Sequence, residues 1–137
     1  TRAPGGARDQ AERLSNVALH LVHHPHLQPV TVDTLGVSGE VDLHVVYPTK
    51  SRPVNPAGDV LAWAETLSFL RLELRYFGHK RTEVRAVGLI QGMLVQVWGV
   101  DEGDLYRWRR HDKPNGSIVD ILALRAYVNT GTVESLI

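Results

Sequence analysis

From Phe69 to Phe77 the chain reads FLRLELRYF, and apolar and charged residues alternate almost without interruption. A period of two is the signature of a β-strand with one face in a core and the other facing out. Leu70, Leu72, Leu74 and Tyr76 are expected on the buried face, and Phe69, Arg71, Glu73, Arg75 and Phe77 on the other. Gly78 and HKRT turn this strand into a second at Glu83–Ile90, and Gln91–Gly92 turns that one into a third at Met93–Val100. LIQGMLVQVW fits a tight hairpin, or one long strand bent at a bulge at Gly88 or Gly92.

A different period precedes the strands. Leu14, Val17, Ala18, Leu21 and Val22 recur every three or four residues and mark a helical stripe. Asp9 and Glu12 lie near its start and His23 and His24 near its end, as the helix dipole favours. Pro25 stops it. VTVDTL and EVDLHVVY, separated by GVSG, read as a hairpin with Glu40, Asp42 and His44 on its outer side. After the polar loop PTKSRPVNP, Asn55 or Asp59 caps a second helix whose apolar face is Val60, Leu61, Trp63, Ala64 and Leu67. Trp63 and Trp98 are expected to join helix to sheet as core anchors. Acidic DEGD closes the strands, and Asp112–Gly116 reads as a turn or linker. Ser117 is then placed to cap a last helix through Val119, Ile121, Leu124 and Tyr127, ending at Asn129–Gly131. The tail TVESLI reads as a short strand or a disordered end.

The order is helix, two strands, helix, three strands, then a C-terminal helix. It predicts an α+β domain in which two or three helices cover one face of a mostly antiparallel sheet of about five strands. Residues 1–6 are expected to be a flexible leader, 7–104 the domain, and 105–137 an extension packed on that domain or on a partner. The other sheet face is left to Arg71, Glu73, Arg75, Glu83 and Arg85.

Composition narrows the function classes. Fifteen Lys+Arg balance fifteen Asp+Glu, which argues against a protein that coats nucleic acid or an anionic membrane and leaves little self-repulsion to oppose association. There is no cysteine, so disulfides, thiolate metal sites and cysteine nucleophiles are excluded, and a cytoplasmic location fits. No apolar run approaches the roughly 20 residues of a membrane span. Arginine far outnumbers lysine, which is limited to Lys50, Lys80 and Lys113. In that bias, and in the pattern HHPHLQPV…GEVDLHV…VLAWAETL over residues 12–100, the chain resembles short uncharacterised proteins of high-GC actinobacteria. Such proteins often sit near regulatory or mobile-element genes; the resemblance carries no catalytic signature and transfers no functional residue.

Four of the seven histidines, His20, His23, His24 and His26, cluster at the first helix end. His20 and His24 have a spacing that chelates metal on a helix, yet Leu21 stands where a zincin motif needs glutamate, and no metal or other cofactor is expected. Asp42 and His44 share a strand face and with Glu40 suggest an acid–base set, but no nucleophile turn accompanies them. GVSG lacks the lysine of a phosphate loop, and GLIQG opens no helix; both read as turns. No catalytic residue is assigned.

Two basic groups stand out: Arg71, Arg75, Arg81 and Arg85 on the strands, and Arg107, Arg109 and Arg110 in YRWRRHDK. In the second, Leu105, Arg107 and Arg109 alternate with Tyr106, Trp108 and Arg110 as in a strand. Arginine grips anions bidentately and aromatics stack on bases, but nearby carboxylates blunt the field. The expected function is a small non-catalytic interaction or regulatory accessory module that binds another macromolecule through the arginine-bearing sheet face. The partner is a protein or a second copy, through a strand edge or the open face, with no membrane involved. The alternatives are a nucleic-acid-binding protein, and a small metal-dependent or acid–base enzyme using Asp42, His44 and the helix histidines.

Overall fold

Turn chemistry organises the centre of the sheet. The computed structural model describes residues 6–34, 40–45, 55–109 and 117–133. Within it β3 (Ser68–Gly78), β4 (Arg81–Ile90) and β5 (Met93–Asp101) form an antiparallel meander. Gln91 and Gly92 link β4 to β5 with φ of +50° and +76°. Two positive φ values define the two-residue turn whose twist matches that of the flanking strands, and glycine accepts one of them without strain. LIQGMLVQVW is therefore a tight hairpin and not one bent strand.

The full order is α1 (Ala7–His23), β1 (Val30–Asp33), β2 (Val41–Val45), α2 (Pro56–Ala64), the meander, α3 (Tyr106–Arg109), β6 (Ser117–Val119) and α4 (Ile121–Thr130). Among the described residues the sheet runs β1-β2-β5-β4-β3-β6. Every pair is antiparallel except β2–β5. The parallel pair arises because α2 and the first two meander strands intervene between β2 and β5, a crossover of the kind parallel strands require. This is the α+β architecture expected, with short β6 added at one edge.

The hydrophobic core lies on one side of the sheet. Val41, Leu43, Leu72, Leu74, Val84, Ala86, Val95 and Val97 point from the strands into a core closed by Ala57, Val60, Leu61 and Trp63 of α2 and Leu124 and Tyr127 of α4. Asn55 caps α2 by accepting from the Gly58 amide at 3.1 Å, with Pro56 following in the first turn. Trp63 is fully buried, and its indole N–H donates to the Gln28 carbonyl at 3.2 Å. Among the described residues no helix is long and apolar enough to cross a membrane.

Several local expectations are corrected. The alternation of β3 is broken by register shifts at Phe69/Arg71 and Tyr76/Gly78, where the strand carries an extra residue. Phe69 consequently packs toward the core, Leu70 is exposed, and Tyr76 lies exposed at the strand's end. On α1 the buried residues are Arg13 and Val17, whereas Leu14, Ala18 and Val22 face out. Arg13 wins its place by donating to the Thr34 carbonyl at 2.6 Å and to Asp9 at 2.7 Å. Tyr106–Arg109 is a single helical turn, so the strand-like alternation there does not apply. Ser117 begins a strand paired with β3, and Asp120 caps α4 instead, accepting from the Leu122 amide at 2.7 Å. Gly131 ends α4 in the left-handed region at φ +75°. The leader up to residue 5, the GVSG loop, residues 46–54, the 110–116 turn and residues 134–137 lie outside the described residues.

Gly88 sits where β4 passes under the entry to β3. A methyl group there would stand 2.8 Å from the Ser68 carbonyl oxygen and 2.9 Å from Leu67 Cβ. Gly88→Ala is predicted to destabilise the fold by about 1–3 kcal/mol through overpacking, seen as a lower urea midpoint with an unchanged slope.

Candidate binding face on the uncovered side of the sheet

Register places the polar side chains in rows across the strands. One row runs Thr31, His44, Trp98, Arg85, Glu73; the next runs Asp33, Asp42, Gln96, Val87, Arg71; a third pairs Val100, Glu83 and Arg75. Arg85 is central to them. Its guanidinium donates to Glu83 Oε1 at 2.8 Å, to Asp42 Oδ1 at 2.8 Å and to Gln96 Oε1 at 2.7 Å. Gln96 in turn donates to Glu40, and Trp98 donates its indole N–H to Asp42 Oδ2 at 2.8 Å. Arg85 also lies 5.7 Å over the Trp98 ring. With these bonds its side chain is only 12% exposed.

Burial works against the Arg85 charge, but hydrogen bonds and charge attraction from Glu83 and Asp42 outweigh it and hold the guanidinium's pKa above its ordinary value. Glu73 behaves in the mirror sense. Burial pushes its carboxyl up, yet hydrogen bonds from Arg71 at 2.6 Å and Arg75 at 2.7 Å bring its pKa below the usual glutamate value. Val87 is almost wholly buried on this face, although no helix among the described residues covers it. In its row it stands between Arg71 of β3 and Gln96 of β5.

The arginines predicted as a binding group therefore divide. Arg85 is a structural hub and not an open ligand, because three acceptors already surround it. Arg71, Arg75 and Arg81 are ion-paired yet 43%, 41% and 46% exposed. Arg107 lies apart on α3, with Asp104 at 3.1 Å. Of Arg109 only the backbone, in α3, is described, and Arg110 is outside the described residues.

Asp42 and His44 share the face but are engaged separately: Asp42 accepts from Arg85 and Trp98, and the His44 ring stacks on Trp98 at 3.9 Å with 7° between planes. Trp98 is thus on the uncovered face and not between helix and sheet. Phe77, the unpaired residue at the β3 register shift, approaches Trp98 at 6.4 Å and carries the Arg81 guanidinium 4.8 Å above its ring. Together with Pro56, Val100 and Glu102 these residues line a groove of about 870 Å³. Asp42, Gln96, Trp98 and Phe77 are absent from the binding set read from sequence, and β2–β5 pairing is what brings the first three together.

His20, His23 and His24 of the histidine cluster line a second groove, of about 690 Å³, between α1 and the β4–β5 turn. Among the described residues no group of three or more His, Asp or Glu is placed to hold a metal. The His20 ring stacks on Trp63 at 5.5 Å, and its Nε2 lies 2.8 Å from Thr66 Oγ1. Since Thr66 donates its proton to the Trp63 carbonyl, Nε2 must be the protonated nitrogen and donate to Thr66. His20 is a packing residue. Burial, then the neighbouring His24 and His23, lower its pKa.

No protein-family model matches the chain, and no curated protein or solved structure matches it significantly.

Two predictions follow the geometry. Arg85→Leu strands two carboxylates on the sheet and is expected to cost about 3 kcal/mol; Arg71→Leu, with its side chain nearly half in water, is expected to cost about 1 kcal/mol or less. Denaturant titration of both variants checks the contrast. His20 in the folded chain resists protonation, so the unfolded chain binds the additional proton. Its contribution to stability is complete above pH 6.5 and is lost as pH falls through the lower folded value. Thermal melts between pH 8 and pH 5 should therefore decline less steeply for His20→Gln than for the wild type.

Proposed function

We propose that this domain is a non-catalytic accessory module that binds another protein through the uncovered side of its sheet, gripping an acidic segment with an apolar residue at its centre. The observation that carries this reading is the adjacency of two surfaces. Arg71, Arg75 and Arg81 expose their guanidiniums along β3 and the β3–β4 turn, and the Phe77–Trp98–His44 groove opens beside them. Arg71 commits only its Nε, and Arg75 its Nε and one terminal nitrogen, to Glu73. The other N–H groups are available to carboxylates in the fork geometry that arginine favours. An apolar side chain entering the groove removes aromatic surface from water, the usual arrangement at the centre of an interface.

Charge distribution favours protein over nucleic acid. Each exposed arginine of the face lies within 4 Å of a carboxylate, so there is no continuous basic stripe for a long phosphate backbone to follow, whereas a short segment needs only the remaining N–H groups of two or three guanidiniums. Asp33, Asp42 and Glu40 at the far side of the same face add negative charge. A cytoplasmic setting suits a cysteine-free module of this kind.

Selection from a random 12-residue peptide display library on the immobilised domain tests the reading. Bound sequences should be enriched in Asp and Glu flanking an aromatic or aliphatic residue. Phe77→Ala and the Arg71→Ala/Arg75→Ala pair should each weaken a selected peptide by about tenfold, roughly 1.4 kcal/mol. Enrichment without acidic residues, or indifference to those variants, contradicts it. So does tight binding of a single-stranded oligonucleotide that weakens steeply with salt, which would instead identify a nucleic-acid-binding protein.

A further inference from the structure

The carboxylates that pair with the exposed arginines of the uncovered sheet face are of two kinds. The Glu73 and Glu83 side chains are only 11% and 12% exposed, and each is enclosed by arginines of the lattice. Glu102 is different. Its side chain is 70% exposed, and among the described residues its ion-pair partner is Arg81, at 3.2 Å. It is the first residue beyond β5, and the Thr82–Asp101 pairing sets it next to Arg81 across the end of the β4–β5 ladder. An ion pair this exposed adds little to stability. What it does is decide what stands at the rim of the Phe77–Trp98–His44 groove, which both residues line.

Arg81 has a second support at that rim. Its guanidinium lies 4.8 Å over the Phe77 ring, a cation–π contact that does not involve Glu102. The Glu102 backbone is fixed by its neighbours. Asp101 Oδ2 accepts from the Gly103 amide at 3.1 Å and from the Tyr127 hydroxyl at 2.8 Å. A Cβ on Gly103 would stand 2.6 Å from that hydroxyl oxygen, so the turn is closed against the C-terminal helix. The movable part is the Glu102 side chain. Rotation about its own bonds takes it off Arg81 and leaves strands and turn in place.

We infer that Glu102 is a built-in competitor for the partner's carboxylate. It holds the place on Arg81 that an Asp or Glu of the acidic segment takes, and it swings away when the apolar neighbour of that residue enters the groove. The inference rests on the reading of this face as a receptor for an acidic segment, and it adds what the segment carries: a carboxylate directly beside its apolar residue, because Arg81 and Phe77 are themselves in contact. A carboxylate already stands at that spot, which is the evidence for what Arg81 accepts there. The exchange replaces one exposed carboxylate with another on the same guanidinium. The net gain comes from the apolar side chain, which the partner brings and Glu102 lacks. Because Glu102 is tethered, it competes at high effective concentration and lowers the affinity of every carboxylate that needs Arg81. A chain that is merely acidic has nothing to offset that loss; one that also fills the groove does.

NMR titration of the whole chain with the synthetic peptide acetyl-Glu-Asp-Phe-Glu-Asp-amide tests this, with the Trp98 indole N–H signal reporting on the groove and the amide spectrum on the fold. Glu102→Gln should lower the dissociation constant about threefold, the scale of an exposed ion pair. In an Arg81→Ala background the same change should gain nothing, because there is no guanidinium left to compete for. Glu65→Gln removes a carboxylate paired with Arg125 on the helical side and should leave binding as in the wild type. Binding that Glu102→Gln does not tighten overturns the inference and leaves the reading of the face standing. So does an equal gain in the Arg81→Ala background or from Glu65→Gln, since either would be an effect of charge at a distance. No binding by the wild type or Glu102→Gln at up to roughly 1 mM peptide overturns the reading and the inference together.

Discussion

Among the described residues helices cover only one side of the sheet, and the hydrogen bonds and charges of its other side are settled around Arg85. The described helices take the apolar rows, and the polar rows face out as a lattice in which Asp42 and Gln96 come from strands on one side of β4 and Glu73 and Arg71 from the strand on the other. Arg85 binds acceptors on β2, β4 and β5 at once. The lattice thereby ties the parallel β2–β5 pair, the least local pairing in the sheet, to the antiparallel meander. Buried charges carry a desolvation cost that only close partners offset, so this network is tolerable because it is nearly complete. Its completeness decides which arginines have anything left for a ligand.

The same one-sidedness organises the surface into two regions of different chemistry. On the sheet, charge is satisfied inward, leaving exposed guanidiniums at β3 and aromatic rings at the Phe77–Trp98 corner. On the helical layer, α1 rests on the domain through Arg13, Val17 and the His20–Thr66 bond, and turns an apolar stripe outward.

Local chemistry was legible in the sequence: the Gln91–Gly92 turn, the Asn55–Pro56 helix start, the Gly131 stop and the period of two in β3 and β5 all declare themselves in a few neighbouring residues. Non-local pairing was not. Nothing near Arg85 indicates that Asp42, 43 residues away, will stand beside it, because that depends on a crossover laying β2 parallel to β5. Alternation alone also could not place Trp98, since both sides of β5 carry apolar residues; the side is chosen by Val95, Val97 and Gly99, which meet α2. On α1 the arginine at position 13 reads as solvent-facing until the Thr34 carbonyl supplies its partner. With Arg13 buried beside Val17, Leu14, Ala18 and Val22 of the expected stripe face out. Of the strand arginines read from the sequence, Arg71, Arg75 and Arg81 are ion-paired and partly exposed, and Arg85 is withdrawn into the lattice.

The central claim is that Arg85 is locked in a complete lattice while its neighbours on the same face are not. Side-chain NMR of the arginine guanidinium groups at neutral pH measures this directly. Held by acceptors on three strands, Arg85 should show restricted rotation about its Nε–Cζ bond, separately resolved terminal N–H signals and slow exchange with water. Arg71, bonded through Nε alone, should give averaged, rapidly exchanging terminal signals. An Arg85 that averages and exchanges as fast as the exposed Arg8 on α1 would contradict the account.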